Sequence, residues 1–200
     1  MTKFLHVGCG MKRKDRTTAG FARTEWQECR FDIDAKVAPD VIGSMTDMAA
    51  VSDGAMDALF SSHNIEHLYP HEVAVALTEF FRVLRPDGFA IITCPDLQSV
   101  AELIVQDKLT EPAYQSPAGP ISPLDILYGH RTAMAAGNLY MAHRTGFTLR
   151  SLTDALRAAG FSTVIGRRQP APAYALWVGA TKSKQPEPIL RALAAAHFPR

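Results

Sequence analysis

Cysteine is scarce, with three in 200 residues, and the count is odd. Cys9, Cys29 and Cys94 sit in or beside apolar stretches with no spacing that supports a pair. A disulfide framework is thereby excluded, and free, mostly buried thiols in a reducing cytoplasm are the expectation. An excess of either charge is also missing. Lys and Arg number 21 against 20 Asp and Glu, a net charge of +1, which argues against nucleic-acid binding through a bulk basic surface. No apolar run approaches the ~18 residues of a membrane span. The opening Met1–Val7 is too short an apolar stretch for a secretion signal. Internal repeats are absent. What remains is an ordinary globular composition, 47% apolar and 20% charged, long enough to bury one full core with a small appendage.

Strand and helix signals alternate through the first half. Lys3–Gly8 reads as a short buried strand entering a glycine turn. Residues 11–28 open with Lys12, Arg13, Lys14 and Arg16 and show no helical period, so a loop with at most a short helix is expected. Cys29–Asp34, Asp40–Gly43 and Ala55–Ser62 read as further strands. The clearest element is a helix beginning at Pro70, where Val73, Leu77, Phe80, Phe81 and Leu84 fall on one face. Pro70 and Glu72 suit its N-terminus, Arg82 and Arg85 its C-terminus. Arg85-Pro86-Asp87-Gly88 then turns the chain into a strand, Phe89–Cys94, apolar enough for a sheet covered on both faces.

Asp96–Lys108 is expected to be helical and 110–122 a proline-rich connector. Ser122 and Thr148 are placed to cap two later helices, the second stopped by Gly160. Two strands, 161–168 and 173–181, are separated by a short link and should pair as a hairpin, putting an antiparallel strand at the end of a mainly parallel α/β sheet. Gln185–Arg200 reads as an amphipathic tail helix that docks on its own chain or joins a homodimer.

Chemistry concentrates first at Gly8-Cys9-Gly10, followed by Asp32 at the end of the second strand. In open α/β sheets ligands bind at the carboxyl ends of the strands, where glycines admit close approach and an acid can hold ribose hydroxyls. A dinucleotide site wants a third glycine where this chain has Arg13, which counts against a nicotinamide oxidoreductase. His63-Asn64-Ile65-Glu66-His67 matches the His-x-x-Glu-His pattern of inverted zinc peptidases, with His71 extending the row, yet Pro70 interrupts the helix that such a site needs. The expectation is therefore no metal. His67 is read as a partly buried histidine bonded to a strand-end carbonyl or carboxylate.

Four ordered segments carry a resemblance. Phe4-Leu5-His6-Val7-Gly8-Cys9-Gly10 is similar to the first motif of class I S-adenosylmethionine-dependent methyltransferases. Phe31-Asp32-Ile33-Asp34 resembles their second motif, Asp57–Leu68 their fourth-strand segment ending in Leu-Glu-His, and Phe81–Phe89 their turn into strand five. The resemblance implies a Rossmann-like three-layer sandwich over residues 1–183, with an acceptor-side insertion at about 109–147 and a tail at 184–200. It implies S-adenosylmethionine as cofactor. Gly8, Cys9 and Gly10 would pass under its methionine and ribose, Asp32 would hold the ribose hydroxyls, and Ile33 would lie against the adenine. Ser44 and Met45, or Asp47, would reach the adenine amino group, and Ser62 and His63 the methionine side. Two departures stand out: His6 replaces the acid common before the first glycine, and Ser44 replaces another acid.

Acceptor specificity in this superfamily lies after strand five, where His130, Arg131, Asn138, Tyr140 and Arg144 could line a pocket and His143 could serve as base. The expected activity is in-line methyl transfer to a small-molecule acceptor by a cytoplasmic enzyme without membrane or nucleic-acid partners. The alternatives are an inactive cofactor-binding module, an NAD(P)-dependent oxidoreductase and a zinc hydrolase using His63, Glu66 and His67.

Overall fold

The computed structural model describes residues 1–199. Nine strands and six α-helices run in the order β1 (Thr2–Val7), β2 (Trp26–Asp32), β3 (Val41–Ile42), β4 (Met56–Ser62), α1 (Pro70–Val83), β5 (Leu84–Pro95), α2 (Leu97–Val105), β6 (Tyr114–Ser116), β7 (Gly119–Ile121), α3 (Pro123–Tyr128), α4 (Arg131–Ala135), α5 (Leu149–Ala158), β8 (Thr163–Gln169), β9 (Ala175–Thr181) and α6 (Glu187–His197). Seven strands form one sheet in the order β3-β2-β1-β4-β5-β9-β8. The first five run parallel, and β9 is antiparallel to both β5 and β8. The hairpin expected at the end of the chain is therefore present, but β9 is inserted beside β5 and β8 takes the sheet edge. The connector at 110–122 contains a small hairpin of its own, β6 with β7.

Alternation along β1 divides the core. Leu5 and Val7 face a cluster with Leu59, Ile92 and Val178 of the sheet, Leu77 and Phe80 of α1, and Leu152 and Leu156 of α5. Phe4 faces the other way, with Phe60 and Ile91. Helix α1 is set by Pro70 in its first turn and by Glu72, whose carboxylate accepts the Tyr69 amide at 2.8 Å. Its buried stripe is Val73, Ala76, Leu77, Phe80 and Val83, each large apolar side chain contributing roughly 1.5–3 kcal/mol of burial. Ser122 caps α3 and Thr148 caps α5 as expected, and Asp96 accepts the Gln98 amide at the start of α2. At the head of β5 the register jumps, Met56 opposite Leu84 and Ala58 opposite Phe89. The exposed Arg85-Pro86-Asp87 segment bulges out there, so the anticipated turn exists inside one continuous strand.

The second face is built without the usual crossover helices. Among the described residues, the β1–β2, β2–β3 and β3–β4 connections contain no α-helix; the first two hold single 3₁₀ turns at Lys14–Arg16 and Ala35–Val37. The loop with at most a short helix expected over residues 11–28 is present up to β2. Phe21 from the first connection and Trp26 at the start of β2 cover Phe4 and Phe60, and Leu193 and Phe198 of the tail complete the cover. The Gly20 amide donates to the Ala196 carbonyl at 2.8 Å, and Thr18 Oγ1 lies 2.7 Å from His197 Nδ1. The tail thus docks on its own chain. Cys9 and Cys94 are buried, Cys29 is half-buried, and all three are free. No helix is long and apolar enough to cross a membrane among the described residues.

Candidate active site

The parallel register stacks the ends of β1, β2 and β4: Val7 lies opposite Phe31 on one side and Ser61 on the other. The chain then leaves β1 through Gly8 and Gly10, both left-handed, with φ of 62° and 51°. The amides of Gly8 and Cys9 donate to the Phe31 carbonyl at 2.8 and 3.3 Å. The Gly10 amide donates to Asp32 Oδ2 at 2.8 Å, and the Asp34 amide to Oδ1 at 2.9 Å. Asp32 is thus held by one amide on each oxygen, and each oxygen keeps a further acceptor direction. A Cβ on Gly10 would meet nothing within 4 Å, so the backbone there faces open space. Ile33, beside Asp32, is 52% exposed.

Ser44 and Met45 follow directly, because Ile42 pairs with Asp32 and the Gly43 amide donates to the Asp32 carbonyl at 3.0 Å. Ser44 Oγ is 2.7 Å from Thr46 Oγ1, Met45 packs on the core, and Asp47 is exposed with its carboxylate on the Ala49 amide. On the far side, Ser62 Oγ lies 2.8 Å from Thr93 Oγ1, and His63, with φ of 55°, donates its amide to the Thr93 carbonyl at 2.9 Å. The Cys9 thiol is buried, and burial raises its pKa to about 11, so Cys9 contributes backbone rather than a thiolate.

Two residues that organise this floor were not anticipated. Asn64 donates from Nδ2 to the carbonyls of Val7 and Ser62 at 2.9 and 3.1 Å and sits where a Gly8 side chain would be. Arg30 is 2% exposed and donates to the carbonyls of Gly10, Ala38 and Val37, so one guanidinium ties the glycine loop to the connection after β2. A lone arginine inside an otherwise half-apolar strand was its signal. His6 has its own acid: Nδ1 is 2.6 Å from Glu28 Oε1 across the β1–β2 pair. Burial lowers the His6 pKa despite Glu28, so the ring is held towards its neutral form.

The acceptor-side residues separate. Arg131 is paired with Asp125 at 2.7 Å, and the arginine together with Ser122 outweighs burial and holds the Asp125 carboxyl below its ordinary range. Asn138 and Tyr140 are exposed, His130 is half-buried, and the Arg144 guanidinium lies 4.6 Å from the Tyr69 ring centre. His143 instead meets His67, with ring centres 4.9 Å apart, and burial lowers its pKa. The continuous helix that the zinc-peptidase row needs is absent. Ile65–His67 is one 3₁₀ turn, α1 starts only at Pro70, and His71 is exposed, stacked on Tyr69 at 5.8 Å. His67 is half-buried as expected, but its Nδ1 partner is the Ala142 carbonyl, 3.0 Å away in the insertion, not a strand end.

Residues 5–92 match a family model described as a methyltransferase domain. Over that stretch the chain is similar to methyltransferase domains. Solved structures agree on the fold. One is the Burkholderia thailandensis 1,6-didemethyltoxoflavin-N1-methyltransferase, solved with 1,6-didemethyltoxoflavin and S-adenosylhomocysteine bound. It is 18% identical, with 91% of this chain and 71% of that chain covered and a TM-score of 0.58. A Thermotoga maritima protein described as a possible histamine N-methyltransferase is 13% identical over 92% and 83%, with a TM-score of 0.59. An S-adenosylmethionine-dependent methyltransferase from Methanosarcina mazei is 14% identical over 92% and 93%, also at 0.59. A comparison with curated proteins returned no match.

Proposed function

We propose that the chain binds S-adenosylmethionine across the ends of β1, β2 and β4 and transfers its methyl group to a small-molecule acceptor on the side of residues 122–147. The observation that carries this reading is the Gly10–Asp32 unit: a left-handed glycine facing open space, its amide fixed to an acid that keeps free acceptor directions. That geometry fits a ribose diol. The exposed Ile33 fits the flat face of an adenine, and Ser44 and Met45 close the same end. Gly8, Cys9 and Gly10 offer backbone to the remainder, with Ser62 and His63 beside it. The donor set lacks a polyphosphate cradle, which suits a ligand carrying a sulfonium cation.

When bound, S-adenosylmethionine supplies an electrophilic methyl group on sulfur. The chain's part is to hold the acceptor in line with it, and positioning of this kind can account for much of a displacement's acceleration. Where the acceptor must lose a proton, His143 is the candidate base. Its Nδ1 lies 2.7 Å from the Ile126 carbonyl, an atom that only accepts, so Nδ1 carries the proton and Nε2 keeps its lone pair.

The test is a screen of hydroxyl, thiol and amine acceptors with S-adenosylmethionine, read as S-adenosylhomocysteine release. Turnover that falls in Asp32→Asn and His143→Asn supports the reading. Tight cofactor binding without turnover on any class would favour an inactive binding module.

A further inference from the structure

We propose that Glu66, His67 and His143 form a binding site for one divalent transition-metal ion of the zinc class, between the turn after β4 and the insertion. Three observations carry it. One potential ligand atom from each residue lies within 4.8 Å of the other two. A point equidistant from three such atoms is about 2.8 Å or less from each, so inward side-chain shifts below about 1 Å reach the ~2.0–2.2 Å of zinc–nitrogen and zinc–oxygen bonds.

The second observation is the state of the two imidazoles. His67 Nδ1 is 3.0 Å from the Ala142 carbonyl and His143 Nδ1 is 2.7 Å from the Ile126 carbonyl. Both rings therefore hold their Nδ1 proton on a backbone oxygen and leave Nε2 free. This is how metal-binding imidazoles are oriented, with a carbonyl fixing tautomer and plane. The third is Glu66. It is 1% exposed, and neither carboxylate oxygen accepts a hydrogen bond among the described residues. His63 Nδ1 comes within 3.3 Å of Oε1 from a half-exposed position, but without hydrogen-bond geometry. A buried carboxylate so poorly served is strongly unfavourable unless a cation compensates it.

Two imidazoles and one carboxylate suit zinc and its neighbours rather than magnesium or calcium, which prefer all-oxygen shells. The site is also braced. The amides of Arg144 and Thr145 donate to the Glu66 carbonyl at 2.8 and 3.2 Å, joining the two segments that bring the ligands. Three protein ligands leave a position open. If the methyl-transfer reading holds, on which this role rests, that position would take the acceptor's oxygen or sulfur. The acceptor's proton then leaves to solvent, the metal-bound heteroatom attacks the methyl carbon, and the carbon–sulfonium bond breaks to release a neutral thioether. His143 would then act as a ligand rather than a base. This set is not the peptidase row, since Glu66 is a ligand here and His71 takes no part.

The test uses the whole chain, stripped with chelator and titrated with Co²⁺ and Zn²⁺, followed by visible absorption and calorimetry, with S-adenosylhomocysteine titrated in parallel. The expected result is one ion per chain, cobalt d–d bands without a thiolate charge-transfer band, and affinity unchanged in His71→Ala. Affinity should fall at least about tenfold in Glu66→Gln, and likewise in His67→Asn and His143→Asn. The last two sit on half-buried residues and give the same reading should Glu66→Gln fail to fold. No stoichiometric binding, or a cobalt spectrum that survives the His67→Asn/His143→Asn double variant, overturns the site. Its failure with S-adenosylhomocysteine binding intact leaves the methyl-transfer reading standing, and the opposite pattern does the reverse.

Discussion

The Gly10 amide donates to Asp32 Oδ2 over 2.8 Å, so the loop leaving β1 and the acid ending β2 form one rigid unit. Asp32→Asn keeps the volume but turns half of that acceptor into a donor. Hydrogen bonds to a charged group contribute about 1.5–3 kcal/mol, so S-adenosylhomocysteine affinity should fall at least about tenfold. Calorimetry on wild type and variant reads this, with circular dichroism confirming that the variant folds.

The two glycines should respond differently to alanine. Gly8→Ala puts a Cβ 2.0 Å from Asn64 Oδ1 at a φ of 62°. Left-handed strain and overpacking together should cost roughly 2–5 kcal/mol. Gly10→Ala has the strain at 51° but open space, so about 1–2 kcal/mol of stability is expected to go. Its larger effect should be on ligand approach. Urea unfolding and S-adenosylhomocysteine titration separate the two: Gly8→Ala chiefly loses stability, Gly10→Ala chiefly affinity.

Arg30 donates to three carbonyls from a 2% exposed position. Arg30→Lys keeps the charge but not the planar fork, and leaves carbonyls without donors, at roughly 1–3 kcal/mol each. The expected outcome is a lower melting temperature together with weaker cofactor binding, because both loops it joins border the cleft. Arg30→Lys with wild-type stability and affinity would contradict that bracing role.

Tail docking should depend on pH through His197. Burial, helped by the Arg23 charge, lowers its pKa from 6.5 to about 4. The folded state therefore favours the neutral ring, and the unfolded chain takes up a proton first as pH falls. Stability from this group is complete above pH 6.5 and is lost between 6.5 and about 4, to the extent of roughly 3 kcal/mol. Denaturant melts across that window should show a slope that His197→Phe reduces.

Much of this was legible in the chain. Helix α1, the glycine turn, Asp32 and the caps at Ser122 and Thr148 are local patterns, and each appeared where the residues placed it. The start of β2 did not. Trp26-Gln27-Glu28 looks polar, and only its pairing with Thr2–Phe4, the His6–Glu28 contact and the aromatic cover on Trp26 make it a strand. The tail's place follows from the same cause. Phe4 and Phe60 accept any apolar cover, and that Phe21, Leu193 and Phe198 provide it is a contact between distant segments. The meeting of His67 with His143, like the carbonyls under Arg30, depends on how a loop returns to the sheet, which no local periodicity records.

The most direct measurement is calorimetric titration of the purified protein with S-adenosylmethionine and S-adenosylhomocysteine, with NADH as control, repeated on Asp32→Asn. The predicted result is one site per chain for the first two ligands, none for NADH, and a loss of at least about tenfold in the variant. Folded protein that binds neither sulfur ligand, or an affinity unmoved by Asp32→Asn, would contradict the account.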